Sequence, residues 1–227
     1  MFNYEVDPFV LQKQLPPYTE IDYFQGKALV SIVGFMFNHT KVLGLRWPGH
    51  VNFEEVNLRY YVKHFDGTQW KRGVAFVSEI VPKPIIAATA NLLYNEHYSV
   101  AKMNHQIIAT GSMLTINYSW KKKNQQWNFM EVSTLLGLKD IEKDSEEEFI
   151  LEHYYGYNRL NATNTIEYEL QHPRWQVYPV KEYSITCDIE KLYGKDFVPF
   201  LAHQKPDSVF LAKGSEVVVK MPTRKFL

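Results

Sequence analysis

The stretch Phe53-Glu-Glu-Val-Asn-Leu-Arg-Tyr-Tyr-Val-Lys-His64 decides the fold class of this 227-residue chain. Its many β-branched and aromatic residues suit a pleated strand. The pair Asp66-Gly67 follows as a tight-turn signal, and Arg72 to Ile80 then has the same strand-forming composition. The two segments are therefore predicted to pair antiparallel as a β-hairpin.

Segments of the same kind lie on both sides of this hairpin and favour a mainly β chain. Strands are predicted at 27–37, 101–110, 113–121, 127–132, 163–171, 176–183, 208–211 and 216–221. The turns between them are marked by glycine, asparagine and proline.

Three helices interrupt the predicted strands. The first spans Ile85 to Tyr94, which is apolar nearly all round and follows Pro84, a residue suited to the first helical turn. The second begins at a capping box formed by Ser145 and Glu148, and helical spacing extends it through His153, Tyr154 and Tyr157. The third is a short helix from Asp188 through Tyr193 that stops at Gly194.

Composition excludes several classes of protein. The 25 Lys and Arg balance the 25 Asp and Glu, so no global field draws the chain to nucleic acid or to a membrane surface. The single cysteine, Cys187, cannot form an internal disulfide, and the first ten residues lack the pattern of a secretion signal. We therefore expect a cytoplasmic protein with one domain over residues 1–227 and neither nucleic acid nor membrane as a partner.

Strand alternation divides the opening stretch into a polar and an apolar face. Glu55, Asn57, Arg59 and Tyr61 share one face, while Val56, Leu58, Tyr60 and Val62 share the other. The polar face has two interpretations, which the alternation alone leaves open. It is either solvated, or it lines the interior of a small barrel, where Glu55 would act as a general acid or base and Arg59 would hold a substrate carboxylate.

Motifs for metals, nucleotides and hydrolase nucleophiles are absent from the sequence. It has no Gly-rich phosphate loop, no His-Glu-x-x-His helix, no Cys-x-x-Cys pair and no Gly-x-Ser-x-Gly elbow. The eight histidines are scattered along the chain. We therefore predict no metal and no cofactor.

Several short segments give the chain a family resemblance across about residues 15 to 220. Their order and spacing are similar to those of the YqjF-like family, domain of unknown function 2071, a set of uncharacterised proteins. The segments are 26–35, Glu55-Val-Asn-Leu-Arg-Tyr-Tyr-Val62, 73–78, 93–103, Leu151-Glu-His-Tyr-Tyr155 and His172-Pro-Arg-Trp175. This family resembles acetoacetate decarboxylase, which implies a mainly β (α+β) fold: a single antiparallel β-barrel with two or three short helices.

The resemblance also implies where a catalytic lysine would stand. In acetoacetate decarboxylase a barrel-strand Glu precedes a Gly-x-Pro-Lys-Lys-x-Ala stretch whose first Lys forms a Schiff base with the keto acid. Glu55 looks like that Glu, and Asn95 to Ala101 resembles the second stretch with Tyr98 at the lysine position and His97 at the proline. A phenol cannot form an iminium, so Lys102, on the predicted strand face of Tyr98, is the only nearby amine.

Two functions follow as hypotheses, and whether the protein is an enzyme stays open. In the first, a small organic acid is bound or converted in a polar barrel cavity. Glu55 would move a proton, Arg59 would anchor an anionic group and Tyr98 would donate a hydrogen bond to an oxyanion, with Lys102 as a weaker catalytic candidate. The candidates for contact with the substrate are Asn57, Tyr61 and His97. In the second hypothesis, the chain is a non-catalytic scaffold or interaction domain, and in either case it could self-associate.

Overall fold

The computed structural model describes residues 1–40 and 51–225. Its strands are β1 (Phe2–Val6), β2 (Glu20–Ile21), β3 (Ala28–Phe37), β4 (Phe53–Phe65), β5 (Trp70–Val81), β6 (Tyr98–Val100), β7 (Lys102–Thr110), β8 (Met113–Lys121), β9 (Asn128–Leu135), β10 (Lys139–Asp140), β11 (Tyr155–Arg159), β12 (Thr165–Gln171), β13 (Gln176–Tyr178), β14 (Val180–Thr186), β15 (Ser208–Val209), β16 (Leu211–Ala212), β17 (Val218–Val219) and β18 (Thr223–Lys225). The helices are α1 (Pro8–Gln12), α2 (Pro84–Tyr94), α3 (Glu146–Leu151), α4 (Ile189–Tyr193) and α5 (Val198–Leu201), with a 3-10 turn at Lys195–Phe197.

The predicted hairpin is confirmed. Strands β4 and β5 pair antiparallel, and the pairing closes at Phe65 opposite Trp70. Oδ1 of Asp66 accepts hydrogen bonds from the backbone N–H groups of Thr68 and Gln69 at 2.9 and 3.0 Å. Gly67 has a φ of +97°, which a side chain would strain.

The strands form sheets of eleven, three and four members, so the fold is mainly β with few helices. The large sheet follows the path β15-β1-β3-β4-β5-β11-β12-β17, and the four-stranded sheet has the order β14-β9-β8-β7. The expectation of purely antiparallel pairing is wrong, because β5 pairs parallel with both β6 and β11. Among the described residues no pairing joins the two ends of the large sheet.

A β-bulge in β5 changes which of its side chains share a face with those of β4. The register passes from Leu58 opposite Ser78 to Arg59 opposite Phe76, so one residue of β5 is extra. A bulge of this kind reverses the alternation beyond it. Asn57 is consequently opposite Glu79.

Both faces of β4 are buried. The predicted apolar face, with Val56, Leu58, Tyr60 and Val62, belongs to the main core, which also contains Trp120 of the four-stranded sheet. On the other face, the β4 residue Tyr61 packs in a second cluster with side chains of α3, and Phe53 packs in a third with a side chain of α2. The polar face of β4 is thus covered by helices.

The helices differ from the sequence expectation in number and length. The structure has five short α-helices among the described residues, where two or three were expected. The Ser145 cap is confirmed, with Ser145 Oγ accepting from Glu148 N at 3.2 Å, but the Glu148 carboxylate accepts from Asp144 N and not from Ser145 N, and this helix ends at Leu151. Tyr155 to Arg159 is instead β11, because pairing with β5 and β12 overrides the helical spacing of Tyr154 and Tyr157.

Some strand boundaries also differ from the prediction. Pro179 has no N–H and divides the predicted strand 176–183 into β13 and β14. The strand β1 was not predicted, and it pairs with β3 near the start of the large sheet. In the described part of the chain, the helices are too short or too polar for any of them to cross a bilayer.

Candidate carboxyl site

Glu55 lies inside the protein, with 2% of its surface exposed. Its Oε1 accepts a hydrogen bond from Asn57 Nδ2 at 2.9 Å, and its Oε2 accepts one from the Tyr98 hydroxyl at 2.8 Å. The interpretation of the polar face as solvated is therefore wrong at Glu55 and at Asn57, which is also 2% exposed. Both residues face a buried site.

Tyr98 reaches Glu55 because the chain turns sharply after α2. Asn95 adopts the left-handed conformation with a φ of 51°, and the following residues form β6 alongside β5, with Tyr98 opposite Glu79. The Asn91 side chain holds the Tyr98 backbone on both sides, since its Oδ1 accepts from Tyr98 N at 2.8 Å and its Nδ2 donates to Tyr98 O at 3.1 Å. The phenol is thus fixed on a rigid element.

Two more carboxyls lie close enough to Glu55 to shift its pKa or respond to its charge, and sequence reasoning assigned neither of them to the site. Glu79 is 1% exposed, and the bulge in β5 turns it to the face of Asn57. Glu96 accepts a hydrogen bond through Oε1 from the Tyr168 hydroxyl at 2.8 Å. We call Glu55, Glu79 and Glu96 the carboxyl cluster. A charged residue inside the apolar run Phe-Val-Ser-Glu-Ile-Val81 is the one sequence signal that could have singled out Glu79.

Burial makes the carboxyl cluster hold protons. Burial raises the pKa of Glu55 to about 7, against the lowering effect of the hydrogen bonds from Asn57 and Tyr98. Burial, followed by the charges of Glu96 and Glu55, raises the pKa of Glu79 well above its usual range. Burial also raises the pKa of Glu96 to about 7. Near neutral pH the cluster therefore carries fewer negative charges than it has carboxyl groups.

The phenol is correspondingly kept neutral. Burial, and then the charges of the three carboxyls, raise the pKa of Tyr98 well above its usual range. Tyr98 is thus a hydrogen-bond donor across the physiological pH range and not a phenolate nucleophile.

Several buried polar atoms on this face have no hydrogen-bond partner among the described residues. They are Asn57 Oδ1, Glu79 Oε2 and Arg59 Nε. An unpaired buried polar group costs free energy, and such groups in native proteins commonly mark a place where a ligand or water completes the bonding. The face combines acceptors at the carboxyl cluster with a donor at Arg59.

Arg59 and Tyr61 share this face but point toward α3. Arg59 Nη2 donates to the Ile150 carbonyl at 3.1 Å, and its guanidinium carbon lies 5.6 Å from the centre of the Tyr61 ring. The Tyr61 hydroxyl lies 2.5 Å from Ser31 Oγ in a buried polar chain. Arg59 lies four residues, roughly 13 Å, beyond Glu55 along β4, and in the described residues its charge lowers the pKa of Glu55 without a direct ion pair.

The structure places His97 and Lys102 outside the carboxyl cluster. Both side chains are exposed, and Lys102 opens β7 in the four-stranded sheet, opposite Lys121. The prediction that Lys102 shares the face of Tyr98 is wrong, because β6 ends at Val100 and the chain passes to a different sheet. The nearby amine implied for Schiff-base chemistry is thus absent from the site as far as the described residues show.

The segment His172 to Trp175 lies outside the carboxyl cluster, beside an open pocket. The His172 and Trp175 rings stack with centres 4.3 Å apart, and Trp175 Nε1 donates to Ser215 Oγ at 2.8 Å. Arg174, Trp175 and Lys213 help line an open pocket of about 450 Å³, which shares no lining residue with the carboxyl cluster. No group of three or more His, Cys, Asp or Glu side chains in the described ranges is arranged to hold a metal ion.

The sequence profile of DUF2071, described as an uncharacterized conserved protein (COG2071), matches residues 1–216. The chain belongs to the DUF2071 family. The uncharacterized protein YqjF of Bacillus subtilis (strain 168) is 27% identical over 181 residues, which is 76% of this chain and 69% of YqjF. The resemblance of the sequence to YqjF-like proteins is confirmed.

Solved structures show the fold of this DUF2071 member to be like that of acetoacetate decarboxylase. One acetoacetate decarboxylase structure has a TM-score of 0.61 at 12% identity, covering 100% of this chain and 84% of that protein. The enzyme from Legionella pneumophila gives 0.57 at 14% identity, covering 100% and 82%. The enduracididine biosynthesis enzyme MppR, complexed with pyruvate, gives 0.60 at 13% identity, covering 86% and 76%.

Proposed function

We propose that this DUF2071 protein binds a small organic acid beside Glu55 and transfers a proton to or from it. The observation that carries the proposal is the hydrogen bond from Tyr98 to Glu55 in a cluster of carboxyls whose pKa values are raised toward or above neutrality. Support also comes from the fold, since MppR was solved with pyruvate, a small keto acid. The same proposal includes a barrel, in which the sheets curl around this face. It also includes a cytoplasmic location, which the lone cysteine suggests.

In the proposed mechanism, the protonation state and burial of Glu55, Tyr98 and Arg59 decide the role of each. Glu55, with a pKa near 7, takes a proton from the carbon beside a carbonyl and later returns it. Tyr98 donates a hydrogen bond to the enolate oxygen that forms in between. Arg59, whose Nε is buried and unpaired, holds the carboxylate of an acid long enough to reach from Glu55 along β4 toward α3. No step needs an amine, which agrees with a tyrosine at the position of the Schiff-base lysine.

A thermal-shift screen tests this proposal. The wild type, Glu55→Gln and the exposed-site control Glu182→Gln are heated with small carboxylic, keto and hydroxy acids near pH 6.5. A ligand at 100 times its dissociation constant adds about 2.7 kcal/mol to the stability of the native state, which raises the melting temperature by several degrees. We expect shifts in the wild type and in Glu182→Gln that are lost in Glu55→Gln. No shift with any acid contradicts the proposal.

The charge of the ligand is tested by the pH dependence of the shift. As pH rises through 7, the carboxyl cluster ionises and repels an anion, so binding of an acid should weaken. An ammonium or guanidinium ligand would bind more tightly over the same range. Larger thermal shifts at pH 8 than at pH 6 would therefore indicate that the ligand is a cation and not an acid.

A second function, that of a non-catalytic scaffold, is favoured by one observation. Residues 104–112, which are most of β7 and the turn to β8, are all exposed, including Ile107 at 56% and Ile108 at 52%. Such a surface suits contact with another protein chain. A blank ligand screen together with a Glu55→Gln variant more stable than the wild type would favour this function.

A further inference from the structure

Strand β7 is an edge without the features that normally prevent edge pairing. Among residues 1–40 and 51–225 it is the outermost strand of the four-stranded sheet, and its nine residues pair with β8 in unbroken register. Natural proteins protect such edges with charges, prolines, bulges or a covering element. Residues 103–110, Met-Asn-His-Gln-Ile-Ile-Ala-Thr, contain no proline and no Asp, Glu, Lys or Arg.

The opposite edge of the same sheet is protected. Strand β14 has a bulge between Val180 and Glu182, and Lys181 and Glu182 are both exposed on it. One sheet thus has one protected edge and one open edge. This contrast indicates that the open edge of β7 is used.

Most side chains of β7 are also exposed, and Met103 near its start is the one that packs against the main core among the described residues. Ile107 and Ile108 are neighbours in a strand, so they point to opposite faces, and each is more than half exposed. Beyond β8, the described part of the chain covers little of this strand, apart from a 2.7 Å contact between His105 Nδ1 and Glu54 Oε1.

We propose that β7 pairs antiparallel with β7 of a second copy of this chain. The register with the greatest overlap is centred on Gln106, so that Gln106 faces its own symmetry mate. Lys102, the only charged residue of the strand, then faces Thr110, and no like charges meet. The two sheets join into one continuous eight-stranded sheet, and backbone hydrogen bonds of the open edge are satisfied. This proposal is independent of the carboxyl site, which lies on the large sheet.

Sedimentation velocity of the purified protein, with variants at the proposed symmetry axis, tests this dimer. Gln106→Lys places two ammonium groups face to face at the axis, and Gln106→Glu does the same with two carboxylates. The control Ser184→Lys adds the same charge to an exposed position on the protected edge. We expect dimers from the wild type and Ser184→Lys, monomers from either Gln106 variant alone, and dimers again when the two Gln106 variants are mixed.

A native-like far-UV circular dichroism spectrum and a single cooperative melting transition would show that the monomeric variants are folded, at a melting temperature lowered by the loss of the partner. A wild type that stays monomeric at micromolar to hundred-micromolar concentration would overturn the proposal. So would a dimer that survives Gln106→Lys, since the interface would then lie elsewhere. A monomeric wild type leaves the ligand screen unaffected, so failure here is distinguishable from failure of the proposed function.

Discussion

The Tyr98 hydroxyl donates a 2.8 Å hydrogen bond to Glu55, a residue 43 positions earlier in the chain. The family resemblance puts Tyr98 where acetoacetate decarboxylase has its Schiff-base lysine, and the structure puts the phenol against the matching glutamate. A neutral hydrogen-bond donor thus stands where the resemblance puts a nucleophilic amine, and the proposed function gives this pair acid–base chemistry without covalent catalysis.

Because Tyr98 stands at the position of the Schiff-base lysine, we predict that the protein forms no imine with a keto acid. Wild-type protein incubated with pyruvate and sodium borohydride should show no reduced adduct on any lysine by peptide mass mapping, because Lys102 is exposed and belongs to the four-stranded sheet, not to the carboxyl cluster. A pyruvate adduct on Lys102 that disappears in Glu55→Gln would contradict this and restore the Schiff-base route.

The raised pKa of Glu55 predicts how stability depends on pH. The folded protein holds this proton up to a pKa of about 7, while the unfolded chain releases it near 4.5, so the wild type loses stability as pH rises between those values. The loss from Glu55 is up to about 3 kcal/mol. His153 acts in the opposite direction, since burial lowers its pKa to about 4 and costs stability as pH falls below 6.5.

Comparison with Glu55→Gln removes the contribution of Glu55 together with its effect on the pKa of Glu79, while that of His153 is the same in both proteins. The free energy of unfolding, measured by urea titration from pH 5 to 8, should fall more steeply with pH in the wild type than in Glu55→Gln. Parallel curves for the two proteins would show that Glu55 ionises at its ordinary pKa.

Gly73 is predicted to be required for the parallel pairing of β5 with β11. A Cβ there would lie 2.5 Å from the Tyr155 carbonyl oxygen, which belongs to the backbone and cannot move aside cheaply. Gly73→Ala should lower the free energy of unfolding by about 1–3 kcal/mol. Gly137→Ala, where nothing lies within 4 Å, should change it by less than about 0.5 kcal/mol in urea unfolding. Equal effects of the two substitutions would contradict the close approach.

The sequence predicted what local patterns control. The β4–β5 hairpin, the Ser145 cap and the alternation of β4 are confirmed because turn residues, capping side chains and a two-residue period act over short distances. The placement of Glu55 beside Tyr98 came from the family resemblance.

Features set by distant contacts could not be predicted. Glu79 enters the site only through a bulge in β5, which has no clear signature in the residues themselves. The strand β11 replaces a predicted helical extension because it pairs with β5, about 80 residues earlier. Lys102 leaves the site because the chain changes sheets after Val100, a switch that alternation alone cannot reveal.

The raised pKa of Glu55 and its hydrogen bond from Tyr98 are tested most directly by a ¹³C NMR titration of the Glu55 carboxyl. The signal is assigned by its loss in Glu55→Gln. We expect a midpoint near pH 7, and a higher midpoint in Tyr98→Phe, because the hydrogen bond from Tyr98 lowers the pKa of Glu55. The exposed-site control Tyr23→Phe should leave the midpoint unchanged. A midpoint near 4.5 that does not respond to Tyr98→Phe would contradict the account.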